Sequence, residues 1–221
     1  CYAARIALFN ALGKDGWTDE RLLQSQFKKL KQEAAEQRKS GGAGTSVLAT
    51  DNLPQLVLPS AGGTLTVTQS HAIARWAARQ PGGSHELYPR AADAAALQSA
   101  LLVDEAMALV DGVVGLAPKD QDKALRLQRR AEYAGEGGGL WVAMGLLEGR
   151  LAASAGPFLL GAQLTIGDLY MKKPLVDMIK DGQFEAVEND YVQRHFPRLF
   201  EHSQRVEEHE LVQQYLKEYP N

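Results

Sequence analysis

The stretch 52–79 constrains this chain more than any other, because it forces a change of backbone geometry three times in fewer than thirty residues. Leu56-Val57-Leu58 is a short apolar run, Gly62-Gly63 is hairpin-turn chemistry, and Leu65-Thr66-Val67 alternates as a short strand does. Thr68 or Ser70 then opens a helix that carries Ile73, Ala74, Trp76 and Ala77 at helical spacing. Pro54 stands just ahead of the first strand, where it has no N–H to give to a ladder; an edge, a turn or a cis bond suits it. A helix that opens at Gln69-Ser70 offers free backbone N–H groups and two polar side chains to a carboxylate. Strand, turn, strand and helix in this order predict a backbone shaped to receive a small anionic peptide.

The remaining chain divides around a break in periodicity. Residues 2–12 read as a helix stopped by Gly13, residues 16–24 as a short strand, and 24–39 as a polar helix bearing Lys28, Lys29, Lys31, Arg38 and Lys39. Ser40 to Ser46 is a Gly-rich loop. Residues 80–92 hold two prolines and two glycines and lose all periodicity. The expected organisation is therefore a small α/β domain over 1–80, a linker over 81–92 and an all-helical domain over 93–221. In the second domain Leu97, Leu101, Met107, Leu109 and Val113 form an apolar stripe. Helix 120–154 breaks near Gly135 and Gly137 to Gly139, Pro174 bends a helix over 165–181, and Pro197 starts or breaks one over 189–218. Thr165 and Asp168 are spaced as a capping box, flanked by Leu164 and Leu169 as a hydrophobic staple.

Composition removes several function classes. The 221 residues carry a net charge of −3, which gives no electrostatic case for nucleic-acid binding, and no apolar run approaches a membrane span. With Cys1 as the single cysteine there is no intrachain disulfide framework, which fits a reducing, cytoplasmic setting. The chain begins without Met; a removed leader, which would make an organellar location possible, a shortened chain or an incomplete sequence each explain this. His195, His202 and His209 repeat every seven residues, two helical turns apart, too far for one metal ion; surface histidines with no metal are expected. His71, beside Ser70, is a candidate base.

Leu53-Pro54, Thr68-Gln69-Ser70 and Ala72-Ile73-Ala74-Arg75, with Phe158-Leu159-Leu160-Gly161 and Leu164-Thr165-Ile166-Gly167-Asp168-Leu169 downstream, closely resemble the glutathione transferase family. The resemblance spans almost the whole chain and implies a thioredoxin-like α/β N-terminal domain, with its first strand incomplete, joined to an all-α helical bundle. It implies a cis-proline loop, with the backbone of Leu53 before Pro54 pairing with the cysteinyl part of glutathione. It implies that Gln69 and Ser70 hold the γ-glutamyl carboxylate. Within the family the chain is most similar to the sigma-like variety, in which a tryptophan and a lysine four residues later meet the glycyl end. Lys31 matches the lysine, and Phe27 stands where the tryptophan would be, without its N–H donor. Asp111 and Asp104 match acids that reach the partner subunit's glutathione in dimeric relatives.

A glutathione transferase lowers a thiol pKa with one hydrogen bond, usually from a Tyr or Ser hydroxyl. The resemblance puts that residue upstream of Cys1. Tyr2 stands in for it if the connecting loop is short, and Cys1 if the Cys1-Tyr2-Ala3-Ala4-Arg5 segment works as in omega-like relatives. The expected function is glutathione binding with conjugation or reduction of an apolar electrophile docked near residues 104–116, in a homodimer. The alternatives are a noncatalytic structural subunit of a larger assembly and a carrier of apolar ligands.

Overall fold

The computed structural model describes residues 2–40, 48–90 and 93–220. Cys1, most of the Gly-rich loop and the end of the expected linker lie outside these residues. Helix α1 (Tyr2–Leu12) is apolar nearly all round and buries Ala3, Ala4, Ile6, Ala7 and Leu8. Gly13 ends it at φ +69°, the left-handed conformation that glycine adopts without a Cβ clash.

The strand expected over 16–24 does not form: residues 18–23 run without regular structure into helix α2 (Gln24–Lys39). A strand is held by a ladder rather than by its own residues, and no described segment lies alongside to pair with it. The hairpin does form. Strands β1 (Gln55–Ser60) and β2 (Gly63–Thr68) pair antiparallel from Gln55 opposite Thr68 to Ser60 opposite Gly63. Its loop is Ala61-Gly62, one residue earlier than the Gly-Gly pair suggests, because Gly63 at φ +129° already pairs with Ser60. Leu56 and Val67 face each other across the ladder and pack on the core. Helix α3 (Ser70–Ala78) buries Ile73, Ala74, Ala77 and Ala78 and lies along α1.

Helix α4 (Ala94–Leu116) starts on Asp93, whose carboxylate accepts from the Ala96 N–H at 2.8 Å. Its buried side runs through Val103, Ala106, Met107, Val110 and Val113. Two members of the expected stripe are therefore corrected: Leu97 and Leu101 stand on the open side, 59% and 67% exposed. Helices α5 (Lys123–Ala134) and α6 (Gly139–Ala153) are separated by the glycine-rich turn, as the glycines require. Helix α7 (Ile166–Tyr170) continues through a π-helical segment, Met171–Asp177, into α8 (Met178–Lys180). Pro174 lies inside that wider turn, where the missing N–H and the ring are accommodated by the altered pitch. Helices α9 (Tyr191–His195), α10 (Pro197–Glu208) and α11 (Glu210–Glu218) complete the chain, with Pro197 at the first turn of α10.

The Thr165–Asp168 capping box is present and does more than cap. Asp168 Oδ2 accepts from the Thr165 N–H at 2.7 Å and from its hydroxyl at 2.6 Å. Asp168 Oδ1 accepts from the Leu159 N–H at 2.8 Å and lies 2.8 Å from His202 Nε2. His202 is thus corrected from a surface residue to a buried one: α10 turns it inward onto the only buried acid of α7 among the described residues. Gly167 lets α7 close on α4, since a Cβ there would lie 3.3 Å from the Val103 carbonyl oxygen. One continuous core joins α1 and α3 to α4, α7 and α11.

Candidate functional site

The hairpin register decides what adjoins what. Gln55 pairs with Thr68, so the residues just outside the ladder, Pro54 and Gln69, come together at one end of the sheet. The Leu53–Pro54 peptide is cis. Leu53 is 42% exposed, and its own N–H and C=O have no hydrogen-bond partner among the described residues. A backbone left unpaired beside a strand can accept the backbone of an added peptide.

Helix α3 starts at Ser70, one of the two expected starts, and its N-cap Gln69 adopts φ +74° and ψ 117°. A positive φ in a residue with a Cβ is costly, and such strain concentrates where a ligand is clamped. No side chain caps α3, so the N–H groups of its first turn remain open to an external acceptor. The next side chains in the helix face α4 and α7. His71 Nε2 lies 2.9 Å from Asp111 Oδ2, and the His71 ring meets the Tyr170 ring edge-on at 4.9 Å. Arg75 Nε donates to Asp104 Oδ1 at 2.8 Å, and the Tyr88 hydroxyl donates to Asp104 Oδ2 at 3.1 Å. Burial, and then the Asp104 charge, push the Tyr88 phenol up. Burial pushes the Tyr170 phenol up to about 12, against a smaller lowering by the Ser70 hydroxyl.

The predicted residues fall into two groups. Leu53, Pro54, Gln69 and Ser70 meet at the end of the hairpin, with Asp111 and Asp104 held beside α3 by His71 and Arg75. Phe27 and Lys31 are half-buried on α2, with the Lys31 ammonium 5.6 Å from the Phe27 ring centre. Tyr2 packs edge-on against Tyr215 of α11 at 6.3 Å. Burial first, then the charges of Asp177 and Glu207, push its phenol far up. Cys1 lies outside the described residues.

Along α4, Glu105, Ala108, Leu109, Gly112, Val113 and Leu116 line a cavity of about 420 Å³, closed on its far side by Tyr133, Gly139 and Ala143. The lining is almost wholly apolar. The family resemblance implied docking near 104–116 but not the contribution of Tyr133 and Gly139, which reach the cavity through the α5–α6 turn. Tyr170 was also missed: as the residue after a capping box it reads as core, and its position beside His71 is set by how α7 crosses α3. Among the described residues no group of three or more His, Cys, Asp or Glu side chains could hold a metal ion.

Comparison with known proteins agrees with this architecture. The family model described as "Glutathione S-transferase, C-terminal domain" matches residues 119–219. A sigma class glutathione S-transferase of Fasciola hepatica superposes with a TM-score of 0.69 at 17% identity, covering 100% of this chain and 92% of that one. Rat hPGDS complexed with a quinoline gives a TM-score of 0.63 at 20% identity, with 99% and 92% covered. The glutathione S-transferase from Ascaris lumbricoides gives 0.62 at 20% identity, with 99% and 91% covered. No curated protein matches the sequence. The chain has a thioredoxin-like N-terminal unit and an all-helical C-terminal unit, the fold of these glutathione S-transferases, and residues 119–219 match the C-terminal domain of that family.

Proposed function

We propose that this protein binds glutathione at the end of the β1–β2 hairpin and joins it, through its thiolate sulfur, to an apolar electrophile held in the α4 cavity. The observation that carries the reading is the meeting of Leu53–Pro54 with Gln69–Ser70. It sets an unpaired strand-like backbone beside an uncapped helix N-terminus, and these are complementary to a peptide and to its carboxylate. Leu53 would pair with the cysteinyl N–H and C=O of glutathione. Gln69, Ser70 and the α3 amides would hold the γ-glutamyl α-carboxylate, and Lys31 would meet the glycyl carboxylate with Phe27 packed beneath it. Asp111 and Asp104 are the acids proposed to meet an α-amino group, across the interface of a homodimer. Leu97 and Leu101, one turn apart and open on α4, support such an interface. No helix among the described residues is long and apolar enough to cross a membrane.

These residues recognise the peptide. Activation of its sulfur calls for a hydroxyl at the end of a preceding strand, the position the family resemblance assigns upstream of Cys1. Calorimetric titration with glutathione tests the reading directly: micromolar to millimolar binding, weakened by Ser70→Ala and Gln69→Ala, is expected. Absence of binding by the intact protein would overturn it and leave the noncatalytic reading.

A further inference from the structure

Tyr170 is 4% exposed, and its hydroxyl oxygen is buried without a hydrogen-bond partner in this structure. A buried hydroxyl left alone is costly and therefore uncommon, so its place calls for an explanation. The side chain is not free to seek a partner elsewhere. Its helix is anchored by the Thr165–Asp168 box, and its ring is fixed edge-on against His71 at 4.9 Å and an interplanar angle of 80°. His71 Nε2 lies 2.9 Å from Asp111 Oδ2, an ion-pair approach without hydrogen-bond geometry. Among the described residues, the one neutral polar group that acts on the phenol is the Ser70 hydroxyl, which lies within interaction range but outside hydrogen-bond geometry. The charges that act on it are Asp111 and Arg75, both already engaged with other partners.

We infer that Tyr170 is a positioning residue of the peptide site, whose hydroxyl donates to Ser70 Oγ when Ser70 turns its own proton onto the γ-glutamyl α-carboxylate of glutathione. This rests on the glutathione reading above. The chemistry follows from the donor inventory. A serine hydroxyl has one proton and two acceptor lone pairs, so a serine that donates to a carboxylate gains from a second donor behind it. The two bonds polarise each other, and a bond to an ionised acceptor is the stronger kind. Tyr170 suits the role because burial keeps it protonated across the physiological range, so it always has a proton to give. In the free protein the Ser70 proton has no fixed direction and the pair remains unmade. The ligand supplies the acceptor that orients it, and a small movement at the start of α3 closes the chain from phenol through hydroxyl to carboxylate.

The experiment compares the intact protein with its Tyr170→Phe, Ser70→Ala and doubly substituted variants by calorimetric titration. The ligands are glutathione and two analogues without the γ-glutamyl α-carboxylate: 4-aminobutyryl-Cys-Gly, which lacks that carboxyl and keeps the amino group, and glutathione with the same carboxyl converted to its amide. Tyr170→Phe is expected to bind glutathione roughly three- to tenfold more weakly. It should show no further loss in the Ser70→Ala background, and no loss on either carboxylate-free ligand. Its melting temperature should not fall, because the hydroxyl it removes has no partner in the free protein. Unchanged glutathione affinity overturns the inference, as does an equal loss on the carboxylate-free ligands or in the Ser70→Ala background. A lowered melting temperature would assign the hydroxyl to the fold and also overturn it. If the wild-type protein binds glutathione and Tyr170→Phe binds it equally, this inference alone fails; if the wild-type protein binds none, the glutathione reading fails and takes this one with it.

Discussion

His202 of α10 and Asp168 of α7 meet at 2.8 Å with side chains 1% and 0% exposed. The carboxylate that closes the α7 cap thereby also fixes the Phe158–Gly161 turn and α10. It does so through the Leu159 N–H, the Thr165 N–H and hydroxyl, and the imidazole.

Removing that carboxylate leaves four buried donors unanswered. Asp168→Ala is expected to cost about 3–5 kcal/mol, well above the roughly 0.5–2 kcal/mol of an ordinary cap. Urea unfolding followed by circular dichroism measures it, and a loss below about 1 kcal/mol would show that the network carries little of the fold's stability.

Gln69 holds φ +74°, a conformation that glycine adopts without cost. Gln69→Gly is expected to be neutral or stabilising by about 1 kcal/mol in unfolding while weakening glutathione binding. A variant that loses both stability and binding would remove the case for functional strain at this position.

His209 caps α11 through its Nδ1, which accepts from the Leu211 N–H at 3.2 Å, and its ring lies 5.1 Å from that of His85. Burial first, then the His85 charge, hold its pKa below the ordinary imidazole value. A depressed histidine favours the neutral form in the folded state. Its contribution is therefore complete above about pH 6.5, the unfolded value, and is lost as pH falls from there through the lower folded value. Unfolding free energies at pH 7.5 and 5.5 should differ in the wild type and differ less in His209→Asn, which keeps a cap and cannot titrate.

Gly112 faces the α4 cavity with no atom within 4 Å of where a Cβ would stand. Gly112→Leu should fill part of the 420 Å³ space. Turnover of a bulky apolar electrophile should fall while glutathione affinity holds, and the helix should gain up to about 1 kcal/mol. Steady-state kinetics with two electrophiles of different size checks this; equal effects on both would place the electrophile elsewhere.

Much of the fold was legible because it is written in local patterns. The hairpin, the Gly13 stop, the glycine break between α5 and α6 and the Thr165–Asp168 box all depend on residues within a few positions of one another. The strand expected over 16–24 failed for the opposite reason, since a strand needs a neighbour that its own sequence does not name. Leu97 and Leu101 share the composition of the buried stripe but not its phase, and burial depends on which side of α4 the other helices approach. His202 looked like one of three evenly spaced histidines until α10 packed it onto Asp168.

The site divides along the same line. Leu53, Pro54, Gln69 and Ser70 are close in sequence, and a two-residue hairpin loop brings them together almost unaided, so the amino-acid sequence by itself determined the end of the hairpin proposed to bind the peptide. Tertiary structure decided what stands behind it. Tyr170 lies a hundred residues beyond Ser70, and His71, Asp111 and Tyr170 come from three helices whose crossing is set by the shared core. Side chains that converge by helix packing leave no mark in spacing, because their neighbours are chosen by apolar surfaces elsewhere on the same helices.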